Sequence, residues 1–279
     1  MRTLIPVLNS PMATYHARSC QRMARVPVWQ AQLVAVLEGR KEVRTEYAVH
    51  QAEAGQWLVL PAGGEVEVVN LPDPVSGRYL AFTLSQDRQW LTRFHRAFGQ
   101  LVAAAAQSAP VFTPSDDSRV ALERLMAALT APLEGLDLAI AEHSWQGLML
   151  ALLRQGQAGA LLTLPAEGVA LRLQAMFQFE PGRGWTLEDA ATRLALSQAT
   201  LRRRLAEEGK SFSQILTDTR LGLALGQVMT GRERLTDIAL ACGYQSPSRF
   251  AEAFRRRFGV LPSALRASQG LTDTVSAPS

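Results

Sequence analysis

The feature that most constrains the fold of this 279-residue chain is a local pattern that occurs twice in its C-terminal third. In each copy, a short segment of small and apolar residues leads into a tight turn, and a second segment with three consecutive arginines follows. The turns fall at Ala195 and Gly243, 48 residues apart. Two helices that cross steeply over a short turn need a small residue where their backbones approach. The pattern therefore predicts two helix-turn-helix units in one helical domain.

The first unit is predicted at about residues 187–207. Thr186 is its predicted N-cap, and the two acids in the first turn complement the helix dipole. Ala191 is the small residue expected at the helix crossing. The outward face of the second helix is expected to carry Arg202, Arg203 and Arg204. A basic helix presented by a short-turn helix pair has the geometry that fits the major groove of DNA.

The second unit is predicted at about residues 235–258, with three phenylalanines at helical spacing facing inward: Phe250, Phe254 and Phe258. Between the units, Ser213 to Met229 forms one predicted linker helix. Such a helix can hold two recognition helices about one DNA turn apart, roughly 34 Å, on one face of a duplex. The run Arg255-Arg256-Arg257 then either contacts DNA or is a solvated face, and its place in the unit favours DNA contact.

These residues resemble the DNA-binding domain of the AraC/XylS family of transcriptional regulators over residues 169–268. In the first unit the matching residues are Trp185, Thr186, Leu187, Glu188, Asp189, Ala191, Leu196, Ser197, Leu201 and Arg203. In the second they are Ile238, Ala239, Cys242, Gly243, Tyr244, Ser246, Ser248, Phe250, Phe254, Phe258, Gly259, Pro262 and Arg266.

The resemblance implies roles for individual residues in binding double-stranded DNA. In the first unit it places three residues against bases: Ala199, Arg202 and Arg203. In the second unit the comparable positions are Pro247, Ser248, Arg249 and Glu252. Arg256 is expected to meet a phosphate, and phosphate contacts fix register whereas base contacts specify sequence.

The chain departs from the family pattern at several positions. The usual turn glycine of the first unit is Ala195, and an apolar position late in its recognition helix is Arg204. Gly222 and Gly226 each weaken the linker helix by about 1 kcal/mol relative to alanine. Pro247 cannot donate a backbone hydrogen bond and suits the first turn of a helix.

The first 85 residues are predicted to form β structure. Short apolar runs separated by glycine and proline turns favour an antiparallel sandwich or barrel. This segment resembles the cupin-like β-barrel that senses ligands in many members of the family, through the turn–strand–turn sequence at 54–63. The resemblance implies a small-molecule effector. Trp29 and Trp57 are candidates for lining its pocket, with ordinary barrel core as the alternative.

Residues 86–164 are predicted to be helical. Leu138 to Leu153 is apolar on more than one side, which is typical of a helix buried in a hairpin or a subunit interface. The resemblance implies that these helices supply a homodimer contact. The predicted fold class is therefore α+β with two domains. They are a cupin-like sensor domain at 1–164 and, after a linker at 165–168, a DNA-binding domain at 169–268 with a flexible tail at 269–279.

Charge is unevenly divided between these domains. Residues 181–266 hold 14 lysines and arginines against 8 acids, a net charge of +6, while the whole chain carries +4. This balance indicates a polyanionic partner for the C-terminal domain, or a solvated basic face without one.

Other classes of protein are disfavoured by composition. No apolar run approaches the roughly 18 residues of a membrane span, and two cysteines fit a reducing cytoplasm. The four histidines are scattered, so neither a metal nor a cofactor is expected.

The leading hypothesis is a DNA-binding transcriptional activator, not an enzyme, that responds to a small molecule and contacts RNA polymerase. The alternatives are a cupin-type enzyme with an accessory helical domain and an architectural DNA binder without an effector.

Overall fold

A computed structural model describes residues 12–103, 109–131, 133–164 and 167–270. They divide into two compact units. The N-terminal unit comprises the described residues of 11–20 and 28–165, and the C-terminal unit comprises residues 21–27 and the described residues from 167 onward. Two residues of the predicted linker and nearly all of the predicted tail lie outside the described residues.

The chain contains nine strands within the described ranges. They are β1 (Met12–Ala17), β2 (Gln21–Val28), β3 (Gln32–Glu38), β4 (Arg40–Arg44), β5 (Val49–Glu53), β6 (Trp57–Leu60), β7 (Gly64–Leu71), β8 (Tyr79–Ser85) and β9 (Val111–Phe112). In the N-terminal unit, one antiparallel sheet has the order β1-β8-β3-β6-β9. The strands β7, β4 and β5 pair antiparallel in the second sheet.

The antiparallel β structure agrees with the sequence-based prediction of a sandwich or barrel, but the closed barrel that the cupin resemblance implies is wrong. The chain passes from the first sheet to the second at Gly39, between β3 and β4. Gly39 has φ +76°, and a Cβ there would lie 2.4 Å from the carbonyl oxygen of Leu71. In the part of the chain that the structure describes, the strands form two separate hydrogen-bonded sheets. Edges therefore remain, and the two-residue β9 ends the first sheet.

Three helices follow the strands in the N-terminal unit: α1 (Arg88–Ala103), α2 (Asp116–Ala128) and α3 (Gly135–Arg154). Their aromatic side chains extend the core beneath the first sheet, and Phe94 and Trp145 are fully buried. The buried Trp145 indole donates a hydrogen bond to Gln86 Oε1 at 2.9 Å. The helix expected at 138–153 is therefore present and largely buried on one side, although Leu136 and Ile140 remain exposed.

The second sheet contains one buried cation, which the sequence analysis did not single out. Lys41 on β4 donates to Asn70 Oδ1 on β7 at 2.9 Å and lies 5.8 Å from the ring centre of Tyr79. Burial lowers the pKa of Lys41 to about 7. The alternation of β4 directs this side chain inward, because successive strand residues face opposite sides of a sheet.

The C-terminal unit contains seven helices among the described residues. They are α4 (Val169–Phe179), α5 (Leu187–Arg193), α6 (Gln198–Glu207), α7 (Phe212–Thr230), α8 (Leu235–Ala241), α9 (Pro247–Phe258) and α10 (Pro262–Ala267). The first helix-turn-helix unit packs around Phe177, Trp185 and Leu201. The second buries Phe250, Phe254 and Phe258, whose rings meet edge to face at 5.6 and 4.8 Å.

Residues 21–27 contact this helical unit directly. Gln21 Nε2 donates to Ser268 Oγ at 2.9 Å, and Arg25 Nε donates to the carbonyl of Arg257 at 3.2 Å. A second nitrogen of Arg25 donates to the carbonyl of Arg256. The Arg25 guanidinium thus satisfies carbonyl groups at the C-terminal end of α9, where a helix leaves acceptors unpaired.

Within the described ranges, no helix is both long and apolar enough to cross a lipid bilayer.

Candidate nucleic-acid interface

The first helix-turn-helix unit is stabilised by its own local sequence. Thr186 caps α5 and forms a capping box with Asp189: the Thr186 hydroxyl accepts from the Asp189 backbone, and its backbone donates to the Asp189 carboxylate. The Thr186 hydroxyl also donates to the Asp189 carboxylate at 2.6 Å, and this hydrogen bond, together with the one from the Thr186 backbone, holds the pKa of the Asp189 carboxyl below its ordinary value. Ala195 makes the turn at φ +54°, and the Leu196 amide donates to the Ala191 carbonyl at 2.9 Å. The predicted cap and turn are both confirmed.

The recognition helix of the first unit presents an exposed basic face. Ser197 caps α6 by accepting from the Thr200 amide at 3.1 Å, while the buried Leu201 and Leu205 fix its rotation. Ala199, Arg202, Arg203 and Arg204 are all exposed. Ala199 and Arg203 lie opposite the buried leucines, and Arg202 and Arg204 lie on the two flanks.

Arg203 has an intrahelical partner in this state. Its Nη1 lies 2.6 Å from Glu207 Oε1, one helical turn further on, and both side chains are more than half exposed. An exposed pair at this spacing contributes only about 0.3–0.5 kcal/mol. The pair can therefore be exchanged for a DNA contact at little cost.

The second unit presents the N-terminal half of α9 in the same manner. Ser246 caps the helix, Pro247 occupies its first turn as predicted, and Gly243 makes the preceding turn at φ +82°. The site residues predicted here are all exposed: Ser248, Arg249, Glu252 and Arg256. An open cleft of about 920 Å³ is lined by three of them, Arg249, Glu252 and Arg256. Thr217 from α7 and Gln245 from the turn also line this cleft. No local pattern in the sequence marked these two residues.

The run of three arginines at 255–257 is not one exposed face. Arg255 and Arg256 are exposed, whereas the Arg257 side chain is only 11% exposed and its Nε lies 3.4 Å from Asp218 on α7. Successive helical residues are 100° apart, so three adjacent side chains cannot all face the same groove. Arg257 therefore joins α9 to the linker helix.

The candidates in the N-terminal unit lie in different surroundings. Trp57 on β6 is buried, and its ring meets Phe112 at 6.0 Å in an edge-on arrangement, which places it in the core. Trp29 is half buried in the connection between β2 and β3.

Groups that could bind a metal or react covalently are few among the described residues. No cluster of three His, Cys, Asp or Glu side chains there has the arrangement to hold an ion. Cys242 is buried, and burial raises the pKa of its thiol to about 12, so it packs as a small apolar side chain. Cys20 is exposed.

Comparison with known proteins agrees with this geometry. A family described as a helix-turn-helix domain matches residues 190–268. The urease operon transcriptional activator of Escherichia coli is 38% identical over 87 residues, which are 31% of this chain and 29% of that protein. The ornithine utilization regulator of Pseudomonas aeruginosa is 39% identical over 100 residues, 36% of this chain and 30% of that protein. The chain thus spans about a third of the length of the curated relatives it matches.

Similarity to solved structures extends over both units. Apo ToxT of Vibrio cholerae has a TM-score of 0.64 at 11% identity, covering 92% of this chain and 97% of that chain. ToxT bound to an unsaturated fatty acid has a TM-score of 0.62 at 13% identity, covering 94% and 96%. At these identities the likeness shows the fold alone. The two-domain fold is thus shared with ToxT, and the C-terminal domain is an AraC-type helix-turn-helix domain, as its residues predicted.

Proposed function

We propose that this protein is a sequence-specific DNA-binding transcriptional regulator, an activator whose N-terminal unit binds a small-molecule effector. The observation that carries the proposal is the pair of helix-turn-helix units, each of which leaves the N-terminal half of its second helix exposed. Both exposed faces carry arginines, within a segment of net charge +6. A positively charged helix of this diameter fits the major groove, where base edges carry a distinct pattern of donors and acceptors.

Within this function, the exposed residues divide into two roles. Ala199, Arg202 and Arg203 in the first unit, with Ser248, Arg249 and Glu252 in the second, lie on the outer faces and would read bases. Arg256, two turns further along α9 from Ser248, would contact a phosphate. The intrahelical Arg203–Glu207 pair opens on binding, because a bidentate arginine–guanine contact is worth about 1–3 kcal/mol of discrimination.

The experiment that tests this function is in vitro selection from random-sequence DNA, followed by titration of the selected duplex against a scrambled one. We expect Arg203→Ala to weaken specific binding by about 1–3 kcal/mol while leaving non-specific binding nearly unchanged. Arg119→Ala, which removes one exposed arginine from α2, is the charge-matched control and should have no such effect. Affinity should fall steeply with salt. Failure to enrich any sequence would refute the proposed function and favour an architectural DNA binder.

An effector is supported by the fold and by a structural neighbour. The N-terminal unit shares its fold with ToxT, one structure of which is bound to an unsaturated fatty acid. The relatives that match the C-terminal domain are named as transcriptional regulators, which supports a non-enzymatic, cytoplasmic protein whose macromolecular partners are DNA and RNA polymerase. A ligand that alters the affinity for the selected duplex, found by screening metabolites at fixed DNA concentration, would identify the effector.

The α2–α3 hairpin is the face that we expect to form a homodimer. Leu136 is 75% exposed and Ile140 is 47% exposed, so two large apolar side chains of α3 lie uncovered one helical turn apart. A groove of about 360 Å³ between α2 and α3 is lined by Val120, His143 and Gly147, among others. In analytical ultracentrifugation, Ile140→Asp should convert dimer to monomer. Leu101→Asp, at an exposed apolar residue of α1, should not. A wild-type chain that stays monomeric at high concentration would exclude this interface.

A further inference from the structure

One arginine of the linker helix contacts parts of both helix-turn-helix units. Arg220 lies near the middle of α7, and its side chain is half buried. Its Nε donates to the carbonyl of Pro181 and its Nη2 to the carbonyl of Arg183, both at 2.8 Å. These carbonyls belong to the loop that enters α5, so Arg220 holds the entrance to the first unit.

The same guanidinium also lies against the turn of the second unit. A Cβ added to Gly243 would lie 2.7 Å from Arg220 Cζ and Nη2. A side chain there would have to displace the guanidinium, and the turn at φ +82° is one that glycine adopts readily. The space at the elbow between α8 and α9 is therefore filled by a side chain from the linker helix.

The entrance loop of the first unit also touches the second unit directly. A Cβ on Gly182 would lie 3.1 Å from the carbonyl oxygen of Ala241, the last residue of α8. The loop itself is braced, because the Trp185 indole donates to the Glu180 carbonyl at 2.9 Å. The Arg183 and Arg193 guanidinium groups lie 4.6 and 4.8 Å from the Trp185 ring centre. Because the loop is rigid, contacts that hold it also fix the position of the first unit relative to the second.

The linker helix by itself does not fix the distance between the two units rigidly. Gly222 and Gly226 lie in its second half, and glycine weakens a helix interior by about 1 kcal/mol per residue. Arg220 precedes both glycines in the chain, and its side chain contacts both units directly. It therefore connects the two units without relying on the part of α7 that the glycines weaken. Burial lowers the pKa of the guanidinium, yet arginine stays charged in proteins, so both hydrogen bonds are charge-assisted and strong.

We propose that Arg220 is a positioning residue that fixes the first and second recognition helices relative to each other and thereby sets the spacing between the two DNA half-sites that the protein accepts. This inference rests on the proposed function. It concerns the distance between the two half-sites and not the bases that either helix reads. Lysine cannot replace the arginine, because a single ammonium lacks the planar fork that reaches both carbonyls.

The test uses the full chain and duplexes obtained by selection from random DNA, with base pairs inserted or removed between the half-sites. Wild-type protein should select a bipartite sequence with one spacing and lose about tenfold or more in affinity when that spacing changes by one base pair. For Arg220→Lys and Arg220→Met the penalty should shrink to about twofold, with the base preference inside each half-site unchanged. Arg172→Met, at an exposed arginine of α4, is the matched control and should keep the full penalty.

A second variant is needed if circular dichroism shows that the Arg220 variants are unfolded. Gly182→Ala leaves Arg220 in place and displaces the loop from the Ala241 carbonyl, so it should relax the spacing in the same direction. The inference is overturned if folded variants keep the wild-type spacing penalty, or if wild-type protein accepts several spacings equally. Failure of wild-type protein to enrich any sequence is a separate result, which overturns the proposed function instead.

Discussion

The two helix-turn-helix units present similar faces but are stabilised in different ways. The first is capped from within: Thr186 and Asp189 form a capping box on α5, and Ser197 caps α6. The second depends on its surroundings. Arg234, at the N-cap position of α8, gives no side-chain capping hydrogen bond, and the turn at Gly243 is packed against Arg220.

The end of the linker helix shows the same dependence. Arg266 on α10 is 3% exposed and donates to the carbonyls of Gln227, Val228 and Glu233 at 3.0–3.3 Å. Gln269 Nε2 adds a further hydrogen bond to the Val228 carbonyl at 2.9 Å. Both recognition helices have local caps, but the first helix of the second unit, α8, has no side-chain cap, and this unit depends more on long-range contacts. Substitutions should therefore separate the two units.

The largest expected effect is on the contacts of the second unit. Arg266→Ala should lower the free energy of unfolding by about 3 kcal/mol, because buried carbonyls lose charge-assisted partners and a cavity is left. Urea unfolding followed by circular dichroism measures this loss. Arg204→Ala, on the exposed face of α6, is the control and should change stability by less than about 0.5 kcal/mol. Equal losses from both variants would contradict the contrast between the units.

A reciprocal exchange at the two turns should give effects of opposite sign. Gly243→Ala should cost about 2 kcal/mol, because alanine is strained at positive φ and its Cβ meets Arg220. Ala195→Gly should raise stability by about 0.5 kcal/mol, since glycine relieves the strain at φ +54° while adding freedom to the unfolded chain. Thermal unfolding of both variants measures these changes in stability. The double variant tests whether the two changes are additive. A stabilising Gly243→Ala would disprove the packing argument.

The smallest loss of stability among these test substitutions should come from the capping box, and it should depend on pH. Thr186→Ala should cost about 1 kcal/mol at pH 7. The pKa of Asp189 is lowered in the folded state, so the stability due to its ionised carboxylate is present above the unfolded pKa of about 4. It is lost as pH falls through the folded value. The difference between wild type and Thr186→Ala, measured by urea unfolding across this range, should therefore narrow on acidification. A constant difference would place the cost in the hydrogen bond that the Thr186 hydroxyl accepts from the Asp189 amide, and not in the one that it donates to the carboxylate.

Much of the DNA-binding domain could be predicted because its signals are local. The cap at Thr186, the proline in the first turn of α9 and the buried phenylalanines at helical spacing all depend on neighbours within one or two turns. The exposure of Arg202 and Arg203 follows from the burial of Leu201 and Leu205, since helical periodicity fixes one face once the other is known.

The N-terminal unit was harder to predict, because strand pairing joins residues far apart in sequence. Alternating and apolar runs indicated antiparallel strands, but nothing local distinguishes a closed barrel from two sheets. Lys41 shows the same difficulty: its polar character predicts exposure, whereas its place on β4 directs it inward against Asn70 and Tyr79.

The amino-acid sequence by itself determined the helical units, their caps, their turns and the basic faces that they present, because hydrogen bonds and side-chain periodicity within a helix act over a few residues. Only the tertiary structure decided which polar groups meet across long intervals. It paired Arg257 with Asp218, placed Arg220 between an entrance loop and a turn, and joined residues 21–27 to the helical unit. Such contacts depend on which surfaces the folded chain brings together, and no period in the sequence records that choice.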